Sequence, residues 1–155
     1  MLEVGVKAPL DTPLEGSDGQ THTLGDYLGK KLILYFYPKD STPGCTAENI
    51  SITQHFTELT KLGYTIIGVS PDSIERHGKF MEKYDLKPLL LSDPEHRLAD
   101  QFGAWGLKKN YGKEYMGLIR STFIIGADGS ITKVYPKVKT KTHGEDLLKD
   151  LGELQ

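Results

Sequence analysis

Apolar residues in this chain form short runs that alternate with longer segments of helical spacing. The runs 31–37, 65–70 and 89–91 are rich in strand-forming side chains and are too short for typical helices. Between these runs, apolar residues three or four positions apart predict one helix over about 45–62 and another that begins after Ser73. Strands that alternate with helices pair in parallel and carry helices on the faces of the sheet, which predicts the α/β class.

The second half of the chain has a different order of elements. A third helix is expected from 93 to about 103, after which strands are predicted at 121–125 and 131–135. Asp128-Gly129 lies between those two strands and is typical of a hairpin turn. A final amphipathic helix over 145–154 would then close the fold.

The first residues predict a separate small element. Residues 5–23 contain a turn signal, Ser17-Asp18-Gly19, between two segments of mixed polarity, which indicates an N-terminal β-hairpin. Residues 24–28 can form one helical turn that ends at Gly29. This hairpin would precede the first central strand at 31–37.

Composition and charge narrow the class of protein. The chain has 155 residues, 37% hydrophobic and 26% charged, so we expect one domain spanning 1–155. The formal net charge of -2 gives no support to nucleic-acid binding. Neither a signal-peptide pattern nor an apolar run of membrane-spanning length is visible, so we expect a cytoplasmic protein without membrane association.

The single cysteine of the chain, Cys45, lies where the first central strand gives way to a helix. Pro38 ends the strand, Thr42 is a suitable N-cap, and Pro43 fits the first helical position. Cys45 is therefore expected in the first turn, where free N–H groups and the helix dipole favour a reactive thiolate. A lone cysteine is also often a small buried hydrophobe, so position alone leaves reactive and inert roles open.

Residues 37–48, with the sequence YPKDSTPGCTAE, resemble the active-site segment of peroxiredoxins. Pro38, Thr42 and Cys45 match the motif Pro-x-x-x-Thr-x-x-Cys, and the longer string is similar to the PrxQ branch, also called bacterioferritin comigratory protein. The segments 102–113, 117–125 and 137–143 resemble the same branch. The resemblance thus covers nearly the whole chain.

This resemblance implies a thioredoxin-like fold with an N-terminal β-hairpin extension and a central mixed sheet flanked by helices. It also implies a thiol-dependent peroxidase of antioxidant defence that reduces hydrogen peroxide and organic hydroperoxides through a sulfenic acid on Cys45. By the same resemblance, Arg120 lies beside the sulfur and Pro38 shields the site from water. The Thr42 hydroxyl would reach both sulfur and peroxide, and Glu48 would orient Arg120 or complement the helix dipole. Neither a cofactor nor a metal is expected.

Relatives of this branch carry a second, resolving cysteine that this chain lacks. The two positions where relatives place it are Ile50 and the pair Phe80-Met81. The resemblance therefore implies a one-cysteine form whose sulfenic acid is reduced by an external thiol: thioredoxin, glutaredoxin with glutathione, or a small thiol. A disulfide between Cys45 of two chains is the alternative. We expect a monomer, with a weak dimer as the alternative.

Other functions compatible with a reactive cysteine make different demands. A cysteine hydrolase needs a histidine beside Cys45, and the helical spacing does not bring His55 there. A thiol–disulfide oxidoreductase needs Cys-x-x-Cys, which is absent. A redox sensor or binding module with slow peroxide chemistry remains the alternative function.

Two groups of side chains outside the motif have an open role. The aromatic residues Trp105, Tyr111 and Tyr115 are interpreted as structural, with the lining of a pocket as the alternative. The basic residues Lys137, Lys139 and Lys141 are interpreted as a solvated loop.

Overall fold

The strands and helices follow the hydrophobic pattern closely in the first hundred residues. A computed structural model describes residues 1–153. Its strands are β1 (Leu14–Gly16), β2 (Thr21–His22), β3 (Lys31–Phe36), β4 (Tyr64–Ser70), β5 (Leu89–Ser92), β6 (Trp105–Asn110), β7 (Lys113–Leu118), β8 (Ser121–Ile125) and β9 (Ile131–Tyr135). Its helices are α1 (Pro43–Gln54), α2 (Phe56–Lys61), α3 (Ile74–Tyr84), α4 (Arg97–Phe102) and α5 (His143–Glu153), with a 3₁₀ turn at Leu24–Tyr27.

Seven of these strands form one mixed sheet in the order β2-β1-β5-β4-β3-β8-β9. The three strands β3, β4 and β5 are parallel, whereas β8 runs antiparallel to β3 and β9 antiparallel to β8. The hairpin β1–β2 forms the opposite edge of the sheet, where β1 pairs antiparallel with β5. The predicted α/β class, N-terminal hairpin and central mixed sheet are confirmed.

Strand β3 is buried on both faces because helices cover the sheet on each side. Leu32, Leu34 and Phe36 point to one face and pack in the cluster that includes α4. The alternate side chains Ile33 and Tyr35 point to the other face, toward α1, α3 and α5. The end of β3, where Cys45 follows in the chain, is thus fixed from both sides.

Two helix predictions need correction. The helix expected over 45–62 is two helices, because His55 adopts φ -111° and ψ 10° between α1 and α2. Its ring Nδ1 lies 3.0 Å from the carbonyl oxygen of Ser51, and such a side-chain bond competes with the helical backbone bond. The third helix begins at Arg97 rather than at 93, because Asp93 caps it by accepting hydrogen bonds from the N–H groups of Arg97 and Ala99.

The hairpin β6–β7 was not predicted from the sequence. Its strands pair with each other in a separate two-stranded sheet, joined by Tyr111 and Gly112 at φ 53° and 78°. That geometry is a two-residue turn in which the side chain points outward. Tyr111 is 98% exposed and Tyr115 45% exposed, so the structural interpretation is wrong for Tyr111, whereas Trp105 stacks on His96.

The end of the chain agrees with the expected order. Strands β8 and β9 coincide with the predicted strands, and α5 begins two residues earlier than expected, at His143. The predicted last residue of that helix, 154, lies outside the described residues. None of the helices described between residues 1 and 153 is long and apolar enough to span a membrane.

Candidate active site

The loop 38–42 leaves the end of β3 and turns directly into α1. Thr42 is the N-cap residue of α1, with extended backbone angles, and Pro43 is its first helical residue. Cys45 therefore lies in the first turn, as predicted, and its side chain is fully buried. The N–H groups of Gly44 and Cys45 have no partner within the helix, because the first turn lacks preceding carbonyls.

Thr42 caps the helix through its backbone. Its carbonyl oxygen accepts from the N–H of Thr46 at 2.8 Å, and its hydroxyl donates to the carbonyl oxygen of Lys39 at 2.8 Å. The hydroxyl hydrogen is thus directed away from the helix N–H groups. Pro38 precedes this turn and is half-buried where the ladder of β3 ends.

Arg120 reaches the cysteine from the start of β8, the strand that neighbours β3 in the sheet. Ser121 pairs with Phe36 at the end of β3, so the residue just before β8 lies next to the loop that leads into α1. The Nη2 atom of Arg120 lies 3.3 Å from Cys45 Sγ. Its Nη1 atom donates to Oε1 of Glu48 at 2.5 Å. The structure thus brings Cys45, Arg120 and Glu48 into one cluster.

The charges of this cluster depend on one another. Burial raises the pKa of Glu48 to about 7, although the guanidinium of Arg120 opposes that rise. Burial alone would lower the pKa of Arg120, but the negative charges of Glu48 and Cys45 outweigh burial and raise it. The guanidinium therefore stays charged beside the sulfur. Among the described residues, Oε2 of Glu48 has no hydrogen-bond partner.

A buried Asn–Tyr pair that sequence analysis missed supports the first turn of α1. Asn49 Nδ2 donates to the carbonyl oxygen of Cys45 at 2.9 Å, and Tyr35 Oη donates to Asn49 Oδ1 at 2.7 Å. Asn49 and Tyr35 are both fully buried. A polar residue at a helix position that otherwise faces the core is the sequence signal that could have indicated this contact.

His143, at the start of α5, lies close enough to Arg120 to be influenced by its charge. Its Nε2 atom and the hydroxyl oxygen of Thr122 are 2.8 Å apart, and its ring is 1% exposed. Burial lowers the pKa of His143 to about 4, Asp146 opposes the change, and the charge of Arg120 adds to it. His143 is therefore a neutral imidazole at neutral pH. Sequence analysis assigned no role to His143, since its contact depends on the register of β8 against α5.

Gly144 allows α5 to approach α1 closely enough to place His143. A Cβ atom at this position would lie 2.1 Å from the carbonyl oxygen of Ser51. The N–H of Gly144 instead donates to Ser51 Oγ at 2.9 Å. A side chain at position 144 would therefore push the two helices apart. Among residues 1–153, no group of three or more His, Cys, Asp or Glu side chains is arranged to hold a metal ion.

A buried cysteine at the start of a helix, at the end of a central strand and in contact with an arginine, defines a thioredoxin-like enzyme of thiol redox chemistry. Comparison with known proteins narrows this class. The sequence model of the AhpC/TSA family matches residues 4–134. Peroxiredoxin Bcp of Bacillus subtilis is 52% identical over 153 residues, which are 99% of this chain and 97% of that protein.

Solved structures agree with this assignment. A mutant of PrxQ from Xylella fastidiosa superposes with a TM-score of 0.93 at 32% identity, over 99% of this chain and 98% of that one. Bacterioferritin comigratory protein from Xanthomonas campestris, studied for alkyl peroxide reduction, gives 0.90 at 35% identity, over 98% and 99%. The chain belongs to the AhpC/TSA family as a peroxiredoxin of the Bcp/PrxQ type, a thiol-dependent peroxidase. The thioredoxin-like fold expected from the sequence is confirmed.

Proposed function

We propose that this protein reduces hydrogen peroxide and organic hydroperoxides, with Cys45 as the nucleophile. The thiolate attacks one peroxide oxygen, the O–O bond breaks, and Cys45 becomes a sulfenic acid. The other oxygen leaves as alkoxide or hydroxide and takes a proton to give an alcohol or water. The distance of 3.3 Å between Arg120 Nη2 and Cys45 Sγ is the observation that carries this proposal.

Arg120 and Thr42 act on different charges in this reaction. The guanidinium of Arg120 stabilises the thiolate before attack and the negative charge that develops on the peroxide oxygens during it. Because the Thr42 hydroxyl donates to Lys39, its oxygen has free lone pairs that can accept the O–H of a bound peroxide. Glu48 fixes the orientation of Arg120 through the bond to Nη1. Pro38 is the first residue of the loop 38–42 and limits access of water to the site.

An external thiol completes the proposed cycle. Cys45 is the single cysteine of the chain, and Ile50, where relatives place a resolving cysteine, packs half-buried against the core. An incoming thiol attacks the sulfenic sulfur, forms a mixed disulfide and releases water, and a second thiol then frees Cys45. Thioredoxin, glutaredoxin with glutathione, or a small thiol would serve. A single thiol that must stay reduced suits a reducing compartment such as the cytoplasm.

The buried position of Cys45 favours a monomer in this cycle. Its side chain is fully buried, so two such sulfurs can meet only if the first turn of α1 unwinds in both chains. A weak dimer without a disulfide would be compatible with the same chemistry.

The Cys45→Ser variant tests the assignment. Peroxide consumption by catalytic amounts of protein with a thiol donor should disappear, while the circular dichroism spectrum stays that of the wild type. Substantial activity in the folded variant would exclude Cys45 as the nucleophile. A wild type that reacts once with peroxide but does not turn over with any thiol donor would indicate a redox sensor instead.

A further inference from the structure

A second buried ionic pair lies at the loop 38–42, which leads into α1 and Cys45. Asp40 and His77 are 2% and 0% exposed, and Asp40 Oδ2 lies 2.7 Å from His77 Nδ1. The other carboxylate oxygen, Oδ1, accepts from the Tyr37 hydroxyl at 2.6 Å. His77 Nε2 lies 3.0 Å from the carbonyl oxygen of Leu91 on β5. Helix α3, strand β5 and the loop 38–42 therefore meet at this pair.

The hydrogen bonds of the pair fit two charged side chains. The carbonyl oxygen of Leu91 can only accept, so His77 Nε2 carries a hydrogen. Tyr37 donates to Asp40 Oδ1, and His77 Nδ1 faces Oδ2, an arrangement that suits an ionised carboxylate accepting at both oxygens. An ionised Asp40 requires a hydrogen on His77 Nδ1 as well, which makes the ring an imidazolium held between two acceptors.

Other polar and charged groups near the pair also hold Asp40 in place. The backbone N–H of Asp40 donates to Asp72 Oδ2 at 2.7 Å, and Ser70 Oγ donates to the same oxygen. The second oxygen of Asp72 lies 3.1 Å from Nε of Arg76 on α3. Both the side chain and the backbone of Asp40 are thus fixed to elements outside its own loop.

Asp40, which these bonds hold in place, lies in the middle of the turn that leads into α1. Lys39, immediately before Asp40, supplies the carbonyl that accepts the Thr42 hydroxyl. Ser41, immediately after it, has φ 64°, a left-handed conformation that is unfavourable for residues other than glycine. A turn with this strain persists only where its surroundings hold it. The bonds to Asp40 supply that restraint one residue before the strained position.

We propose that His77 is a positioning residue for peroxide reduction, acting through Asp40 on the loop that presents Thr42 to the substrate of Cys45. This inference rests on the proposed function of Cys45. The imidazolium does not touch the sulfur. It fixes Asp40, which fixes the turn, which fixes the direction of the Thr42 hydroxyl. Misplacement of a positioning group by about 1 Å can reduce a rate by about 100-fold.

The protonation state of His77 is tested first, on the wild-type protein. The ¹⁵N chemical shifts of the His77 ring at neutral pH should be those of two protonated nitrogens, each coupled to its own hydrogen. An unprotonated nitrogen at either position would overturn the proposal. This measurement needs neither peroxide nor a substitution, so it is independent of the assignment of Cys45 as nucleophile.

The positioning role is tested with two variants. His77→Gln keeps a polar partner for Asp40 but removes the positive charge, and the double variant Asp40→Asn with His77→Gln also removes the buried carboxylate. The second-order rate constant with peroxide should fall by about 10- to 100-fold in each folded variant. The rate of alkylation by iodoacetamide, which needs a thiolate but no oriented peroxide, should stay close to that of the wild type.

A matched control exists on the N-terminal hairpin. His22 lies between Asp18 and the hydroxyl of Tyr27, with a similar set of partners far along the chain from Cys45. His22→Gln should leave both rates unchanged. Wild-type peroxide rates in the His77 variants would overturn the proposal. So would equal losses in the peroxide and alkylation rates, since these would indicate a change in the thiolate itself.

Discussion

Asn49 donates a hydrogen bond to the carbonyl oxygen of Cys45, one helical turn earlier, and accepts one from Tyr35 on β3. This pair ties the first turn of α1 to the central strand beneath it. The tie matters for the proposed cycle, because a sulfenic acid on Cys45 would have no partner cysteine in its own chain. Formation of a Cys45–Cys45 disulfide between two chains would require this turn to open.

Replacing Asn49 with Ala should increase disulfide dimerisation. The variant loses both hydrogen bonds, so the first turn opens more easily and the two sulfurs can meet. After treatment with one equivalent of peroxide, the fraction of Cys45–Cys45 dimer on a non-reducing gel should exceed that of the wild type. Gln54→Ala, an exposed change on the same helix, should behave as the wild type. A dimer fraction that does not change would show that the tie does not limit opening.

Wild-type protein should remain monomeric after its first reaction. With one equivalent of peroxide and no reductant, the intact mass should increase by one oxygen, and more peroxide should add two or three. Glutathione added after the first step should give a mixed disulfide instead. Quantitative conversion to a Cys45-linked dimer at low protein concentration would contradict this expectation and make resolution between subunits the mechanism.

Replacing Arg120 with Ala should slow the reaction with peroxide by about 100- to 1,000-fold, the usual effect of losing a donor to a developing anion. The fraction of Cys45 present as thiolate at neutral pH should also fall, which ultraviolet absorbance can measure. The unfolding midpoint should change little, because Glu48 can take up a proton when its partner is lost. Arg97→Ala removes an exposed arginine and provides the control. Unchanged rate and thiolate fraction would rule Arg120 out.

Glu48 should make the fold less stable as the pH rises. Its folded pKa of about 7 lies above its ordinary value of 4.5, so the folded protein binds the proton more tightly than the unfolded chain. The stabilisation is fully present below pH 4.5 and is lost as the pH rises to about 7, an effect of at most roughly 3 kcal/mol. Denaturant unfolding of Glu48→Gln should lack this decline, whereas the exposed change Glu82→Gln should retain it.

His143 should have the opposite effect over nearly the same range. Burial lowers its pKa from 6.5 to about 4, so the unfolded chain binds the proton more tightly than the folded protein. Its contribution is complete above pH 6.5 and is lost as the pH falls to about 4, again by roughly 3 kcal/mol. Because the two effects oppose each other, only single variants separate them. His143→Gln should remove the loss on acidification, and an unchanged slope would contradict a buried neutral ring.

Most of the sheet could be predicted because its strands are short apolar runs buried on both faces. The runs that became β3 and β4 carry this pattern over six and seven residues, and the hairpin of β8 with β9 has a turn signal between its strands. The hairpin β6–β7 lacks both features. Leu107 and Met116, which pair across it, are each more than half exposed, so hydrophobic alternation gives no core face there.

The predicted helix boundaries were wrong where side chains form hydrogen bonds with the backbone. His55 and Asp93 each bind main-chain groups and so end one helix and delay another. An apolar pattern does not register such local bonds, because it reports which face is buried and not where the hydrogen bonds go.

The residues of the candidate site could be predicted where they lie in the sequence motif. Cys45 and Thr42 lie within one short string of sequence, and Arg120 was found through the resemblance alone. Contacts such as those of His77 with Asp40 join residues 37 positions apart, and they depend on how α3 sits against the loop. Periodicity places His77 on a helix but does not identify its partner, so the contact of His77 with Asp40 could be found only from the structure.

The separation of Cys45 and Arg120 by 75 residues also has a consequence during synthesis of the chain. A ribosome adds about 5–20 residues per second, so Arg120 is made roughly 4–15 s after the cysteine. Until β8 pairs with β3, the guanidinium cannot reach the sulfur. In the proposed mechanism, a nascent chain therefore carries a thiol without its activating guanidinium, and fast reaction with peroxide begins only after β8 has paired with β3.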